Sequence, residues 1–142
     1  MRLASFSDYS LRVLIYLAVK DKELSTVGEI SKKYNISRNH LVKVVHNLAT
    51  MGVINSYKGK GGGIALSLSP DKINIGKLVR KLEMDSTLVE CFGNSNQCII
   101  TSSCKLKNAI KAAEQSFYET LSTYTLEDIV SNKNKLAESL SL

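Results

Sequence analysis

The polar and apolar positions in the first fifty residues follow the period of α-helices. Helices are predicted over about 8–20, 26–34 and 38–50, because apolar residues recur there three and four positions apart. The buried faces would carry Leu11, Leu14, Ile15 and Ala18 in the first helix and Leu41, Val44, Val45 and Leu48 in the third. The expected N-terminal caps are Ser7 or Asp8, a capping box of Thr26 and Glu29, and Ser37.

Two short apolar runs after the third helix predict a β-hairpin with a basic tip. Residues 53–57 and 64–68 flank a glycine- and lysine-rich stretch over 58–63. A phosphate-binding P-loop would lead into a helix, whereas this stretch leads into a strand, so nucleotide binding is rejected. Helix, short helix, turn, helix and basic hairpin are the order of a winged helix-turn-helix.

The C-terminal half predicts helices on both sides of a polar loop that holds every cysteine of the chain. The loop covers 91–104, between predicted helices over about 75–82 and 105–122, and a last helix begins at Thr125. Small side chains on the long helix would let another helix approach closely: Ala109, Ala112 and Ser116. The predicted fold class is therefore mainly α, with a small hairpin wing.

Charge is divided unevenly between the two halves. Residues 1–63 hold ten basic and four acidic side chains, a surplus of six that equals the net charge of the whole chain. This pattern indicates a polyanion-binding module joined to a neutral part. With 44% hydrophobic and 23% charged residues, the composition excludes a disordered or fibrous protein. No apolar run could span a membrane and residues 1–19 lack a secretory pattern, so we expect a cytoplasmic protein.

The outward face of the third helix carries side chains that can bond base edges or phosphates. The N-terminal residues of a recognition helix reach deepest into the major groove, where Asn, Arg and Lys read bases. The order of the elements and the basic hairpin favour this interpretation over a merely solvated polar face. The predicted DNA-binding residues are Ser37, Arg38, Asn39, His40 and Lys43 on the helix, with Lys58 and Lys60 on the wing for phosphate or minor-groove contact.

Cys91, Cys98 and Cys104 are separated by gaps of six and five residues. An odd number of cysteines without a secretion signal argues against a disulfide framework. Structural zinc sites use closer pairs and four nitrogen or sulfur ligands, so the wider gaps favour an iron–sulfur cluster; a redox switch and three unrelated thiols stay open. A cluster normally takes four protein ligands, and the carboxylates available for the fourth are those of Asp8, Asp85 and Glu90.

Four motifs, taken together, are specific enough to indicate a protein family. They are Asp8-Tyr9 followed by 11–14, the run 39–45, the glycine wing 59–63, and Glu90-Cys91-Phe92 with Cys98 and Cys104-Lys105-Leu106. Over residues 1–130 the chain resembles the NsrR group of the Rrf2-type transcription regulators. The resemblance implies a homodimer that binds a palindromic operator in double-stranded DNA. It also implies one 4Fe–4S cluster per subunit and repression of nitric-oxide-defence genes until nitric oxide attacks the cluster.

The same resemblance implies a ligand set. The three cysteines of one subunit would be completed by Asp8 of the partner subunit, and Arg12 would support that site through hydrogen bonds. IscR-like regulators place a histidine shortly after the third cysteine, whereas 105–108 contains none, which favours the NsrR group. The expected regions are a winged helix-turn-helix over 1–70, a connecting helix and cluster-binding loop over 71–104, and a dimerisation helix with a C-terminal helix over 105–142.

Two other kinds of regulator stay open. An IscR-like iron–sulfur or iron-status regulator would differ in cluster type and in the molecule that releases DNA. A cluster-free thiol switch of the same superfamily would answer to oxidants through its cysteines. An enzyme is rejected, because both histidines lie on the helix assigned to DNA and no nucleophile–base pair remains.

Overall fold

The computed structural model describes residues 1–142 and is mainly helical. Three helices and a hairpin come first, followed by four further helices. The elements are α1 (Ser5–Lys20), α2 (Val27–Tyr34), α3 (Arg38–Thr50), β1 (Ile54–Tyr57), β2 (Gly63–Leu66), α4 (Ile75–Leu82), α5 (Lys105–Leu121), α6 (Leu126–Ile129) and α7 (Lys133–Ser139). Each helix is too short or too polar to cross a lipid bilayer. The predicted fold class is confirmed.

The first helix begins one turn earlier than the sequence predicts. Its N-cap is Ala4, and Ser7 lies fully buried inside the helix, so the prediction that Ser7 or Asp8 caps it is wrong. The cause is a long-range contact: the Glu83 carboxylate at the end of α4 accepts a hydrogen bond from the Ala4 amide at 2.9 Å. A carboxylate at that position satisfies a free amide and interacts favourably with the positive end of the helix dipole.

The capping box of α2 is present as predicted. The Thr26 hydroxyl accepts from the Glu29 amide, and the Glu29 carboxylate accepts from the Thr26 amide, both at 3.1 Å. Glu29 also accepts from the hydroxyl of Tyr16, a fully buried α1 residue, at 2.9 Å. Burial opposes ionisation of Glu29, but these hydrogen bonds and Lys20 together lower its pKa. The capping box therefore begins α2 and, through the hydrogen bond from Tyr16 to Glu29, also links α2 to α1.

The third helix has Ser37 at its N-cap position, although the Ser37 side chain makes no capping hydrogen bond. Its predicted inner face is confirmed, because Leu41, Val44, Val45 and Leu48 are all buried. They join a core of 21 buried hydrophobic residues that also takes in α1, α2, the hairpin and α6. Packing of this kind, and not helix propensity alone, fixes the orientation of α3.

The hairpin is antiparallel, and Ile54 pairs with Leu66 while Tyr57 pairs with Gly63. Ile64 is buried and exchanges backbone hydrogen bonds with Ser25 at 2.7 and 3.0 Å, just before α2. The tip turns through Gly59 and Gly61, whose φ angles of 90° and 76° favour glycine. The wing is therefore fixed at its base to the helix-turn-helix and projects a short basic tip.

The C-terminal segment differs from the single last helix that the sequence predicts. Thr125 starts α6 with a capping box completed by Asp128, but this helix ends at Ile129 and α7 follows separately. Leu126 and Val130 are buried in the core, which holds the short α6 in place. The division of the chain at residues 70 and 104 stays a prediction.

The start of α4 lies directly against the end of α5. A Cβ atom at Gly76 would lie 2.5 Å from the Tyr118 carbonyl oxygen and closer still to Ser122. The Asn74 side chain donates to the Ser122 carbonyl oxygen at 2.7 Å and also caps α4. Glycine is thus required where the long helix joins the body of the protein.

Gly76→Ala should destabilise the fold by about 1–3 kcal/mol, because the added methyl overlaps backbone atoms of α5. Urea unfolding of the cofactor-free chain measures this change. Gly28→Ala is the matched control: a Cβ there has only the Thr26 hydroxyl within 4.0 Å, so α2 should keep or gain stability. Equal unfolding midpoints for Gly76→Ala and the unchanged chain would contradict the close approach.

Candidate DNA-binding surface and cysteine loop

The predicted DNA-binding residues all lie at the surface. Those on α3 and its cap are exposed around the first turn of the helix and at Lys43, outside the buried face, and those on the hairpin are exposed at the wing. The exposed residues are Ser37, Arg38, Asn39, His40, Lys43, Lys58 and Lys60. None of these lysines or Arg38 forms an ion pair within the chain. Their charges are therefore free to meet a polyanion.

A groove of about 740 Å³ separates α3 from the wing. One wall is the face of α3 that carries Arg38, Val42 and His46, and the other is the wing, with Tyr57 at the end of β1 and Lys58 just after it; residues 25–28 at the start of α2 also line the groove. Val42 and Tyr57 are about half exposed, and neither was predicted from the sequence to bind DNA. Two sequence features could have identified them. Val42 lies four residues, about one helical turn, after Arg38, and Tyr57 ends the first predicted strand of the hairpin.

Asp8 and Arg12 form a bidentate pair on α1. Arg12 donates from Nη2 and Nε to the two carboxylate oxygens of Asp8, at 2.8 and 3.1 Å. The hydrogen bond to Asp8 raises the pKa of the guanidinium, which stays charged. The Asp8 side chain is 45% exposed, so its carboxylate can be reached from outside the chain. Arg12 therefore holds the Asp8 carboxylate within the chain, and its support of a cluster site stays a prediction.

Aromatic rings connect this pair to the recognition helix. The Arg12 guanidinium lies 5.8 Å from the ring centre of Tyr9 and 5.9 Å from that of Tyr34. Tyr9 in turn lies against His40 on α3, with 6.2 Å between ring centres. Burial raises the pKa of Tyr34, against the opposing effect of Arg12. Tyr9 and Tyr34 were missed from sequence, because only the packing of α1 on α2 and α3 brings them together.

The cysteines lie on a loop with its own polar framework. Cys91 is in a single 3₁₀ turn over Glu90–Phe92, and Glu90 accepts a hydrogen bond from the Gln97 amide at 2.8 Å. Cys98 is exposed, whereas Cys91 and Cys104 are half-buried. The hydrogen bond from Gln97 therefore occupies one carboxylate oxygen of Glu90 and helps to hold the loop.

Cys104 is the N-cap of α5, and its sulfur accepts from the Lys107 amide at 3.4 Å. A sulfur at a helix N-terminus faces amide donors and the positive end of the helix dipole, which stabilise negative charge there. This position suits a thiolate that acts as a ligand.

The donor set fits an iron–sulfur cluster in its chemistry. All three cysteines are free thiols, and thiolates are the usual protein ligands of such clusters. Within one chain no three Cys, His, Asp or Glu side chains stand close enough together to hold one metal ion. The structure therefore does not bring Asp8, Asp85 or Glu90 together with the cysteines as a ready mononuclear site. Cys91, Cys98 and Cys104 would be the residues that hold a cluster, as thiolate ligands.

The protein-family model "Rrf2: Iron-dependent Transcriptional regulator" matches residues 3–132. The chain belongs to the Rrf2 family. It is 44% identical to the HTH-type transcriptional regulator NsrR of Bacillus subtilis over 100% of this chain and 99% of that protein. It is 43% identical to NsrR of Halalkalibacterium halodurans, with the same coverage of both chains.

Solved structures of Rrf2-family regulators share the fold. CymR, described as the global cysteine regulator of B. subtilis, matches with a TM-score of 0.69 and 27% identity over 93% of this chain and 98% of that one. IscR of T. potens matches with a TM-score of 0.74 over 93% of this chain and 88% of that one; its 20% identity shows the fold alone. This Rrf2-family chain is therefore a DNA-binding transcriptional regulator and not an enzyme, as the sequence predicted.

Replacing a wing lysine should change the salt dependence of DNA binding. If Lys60 contacts a phosphate, Lys60→Gln should make the negative slope of log K against log salt less steep by about 0.9 on any duplex. Filter binding at a series of salt concentrations measures the slope. Lys135→Gln, an exposed lysine on α7, should leave the slope unchanged. A slope for Lys60→Gln equal to that of the unchanged chain would remove the wing from the interface.

Proposed function

We propose that this regulator is a repressor that senses nitric oxide through a 4Fe–4S cluster and loses DNA affinity when nitric oxide reacts there. The cluster would be held by Cys91, Cys98 and Cys104 of one subunit and by Asp8 of the partner subunit. Three free thiols on one loop, together with a reachable carboxylate already braced by Arg12, carry this proposal. Relatives named NsrR at 43–44% identity over their full length support it.

The chain supplies unequal ligands. Thiolates bind iron firmly, whereas a carboxylate oxygen is a harder and more exchangeable ligand. When bound, the cluster supplies an iron whose oxygen ligand a small reactive molecule can displace. Arg12 can hold the Asp8 carboxylate in one orientation, since it donates to both oxygens. The carboxylate retains lone pairs for a second partner.

A second copy of the chain is the proposed cover for α5. No residue of this 17-residue helix is buried, and Leu106 is 65% exposed. Nearby on the cysteine loop, Ile99 and Ile100 are 96% and 55% exposed. A two-fold dimer through this surface would bury these side chains and place two recognition helices in successive major grooves of a palindromic operator. It would also bring one subunit's loop towards the other subunit's α1.

Release of DNA would follow from contacts seen within one chain. Asp8 holds Arg12, Arg12 lies against Tyr9, and Tyr9 lies against His40 on the recognition helix. If Asp8 is drawn to the partner's loop in one state and freed in the other, the position of α3 changes with it. A difference of about 1–3 kcal/mol between the two states corresponds to a 5- to 150-fold change in affinity.

Iron and acid-labile sulfide per chain, measured on protein purified without oxygen, test the sensor directly. We expect about four of each, and nitric oxide should then release a bound duplex. Neither iron nor sulfide, with DNA affinity that answers to oxidants, would overturn the proposal in favour of a thiol switch. A cluster whose loss but not whose reaction with nitric oxide releases DNA would indicate an IscR-like iron-status regulator.

Tyr9→Leu should uncouple the cluster from DNA. The substitution keeps an apolar side chain but removes the ring that lies between Arg12 and His40. We expect the ratio of Kd values for the cluster-free and loaded forms to fall towards one, with cluster content unchanged. Fluorescence anisotropy on both forms measures the ratio. Tyr124→Leu, an exposed tyrosine after α5, is the control and should preserve it. An unchanged ratio in Tyr9→Leu would exclude this route.

A further inference from the structure

Val42 is an exposed apolar residue in the groove between α3 and the wing. Its side chain is 49% exposed, in the first half of α3, whereas the helix's other valines, Val44 and Val45, are buried. It lies one helical turn from Arg38 and one from His46, and all three line the groove that faces the wing. Val42 is therefore positioned to meet whatever enters that groove.

The groove carries a basic side chain on each side. Arg38 on α3 and Lys58 on the wing line it, so phosphates at its rim would meet positive charge, and His46 adds a hydrogen-bonding group. Its volume of about 740 Å³ is large enough for a nucleotide-sized group. The helix wall between the basic residues is apolar, since it consists of Val42, Val45 and Ala49.

An exposed valine gains free energy on a duplex only where it meets an apolar group. In the major groove, the one methyl group that a standard base pair presents is the 5-methyl of thymine. We infer that Val42 contacts the 5-methyl group of a thymine and so helps to select the operator sequence. This inference depends on the DNA-binding function and not on the proposed cluster.

The position of that thymine relative to the Arg38 contact follows from helix geometry. Arg38 and Val42 are one turn apart, about 5.4 Å along the helix axis. Base pairs are stacked about 3.4 Å apart. The thymine should therefore lie one or two base pairs from the pair that Arg38 contacts.

Replacing thymine by deoxyuridine tests the contact, because it removes only the methyl group. The probe is a duplex recovered by in vitro selection with the full-length chain purified without oxygen, and each thymine is replaced in turn. We expect one thymine in each half-site at which the replacement weakens binding about fourfold, the value of one buried methyl-sized group. At that position Val42→Ala should bind the two duplexes equally.

Two further variants make the result specific. Val42→Thr keeps one γ-methyl group and should retain part of the discrimination. Ile129→Ala, a similarly exposed apolar residue outside the groove, should retain all of it. Equal binding of the thymine and deoxyuridine duplexes by the unchanged chain at every position would overturn the inference. So would a thymine preference that Val42→Ala leaves intact. Neither result would bear on the iron and sulfide content, so failure here is distinct from failure of the proposed sensor.

Discussion

The pairing of Asp8 with Arg12 connects the surface of α1 to the aromatic contacts that reach α3. Both side chains are more than 40% exposed, and exposed ion pairs contribute only about 0–1 kcal/mol to stability. The pair is therefore of little use as a stabilising device. The pair instead orients two charged groups. It fixes the Asp8 carboxylate at the surface of α1 and holds the Arg12 guanidinium against Tyr9 and Tyr34. Removing it would cost the fold little and would change what α1 presents to its surroundings.

The position of α3, the predicted recognition helix, is set by its packing against α1 and α2. Its inner face is buried against α1 and α2, and the Thr26–Glu29 box and Tyr16 join those two helices. The wing is attached through the backbone exchange of Ile64 with Ser25. As a result α3, the wing and the Asp8 region form one continuous packed structure. The cysteine loop, by contrast, is held mainly by its own hydrogen bonds, such as that of Glu90 with Gln97.

Local signals predicted the elements well, and long-range contacts were out of their reach. The helix over 75–82 has the predicted bounds, and the two capping boxes start α2 and α6 at the threonines that carry the motif. The predicted start of α1 was wrong because the carboxylate that accepts from the Ala4 amide belongs to Glu83, 79 residues away. The aromatic route through Tyr9 to His40 has no local pattern, since its members come from different helices. The cysteines were recognised from the sequence, and all three are free thiols on or beside one loop, but a ligand from a second chain stays a proposal.

Asp8 is proposed to complete the cluster of the partner subunit, and a mixed dimer tests this proposal most directly. Asp8→Ala and Cys98→Ala chains with different affinity tags are co-expressed, and the heterodimer is isolated without oxygen. Only the Asp8→Ala chain then keeps three cysteines, and only the other chain can offer Asp8. The rate of reaction with nitric oxide, followed by the absorbance of the cluster, should match the wild-type rate per cluster. A rate equal to that of the Asp8→Ala homodimer would contradict the claim.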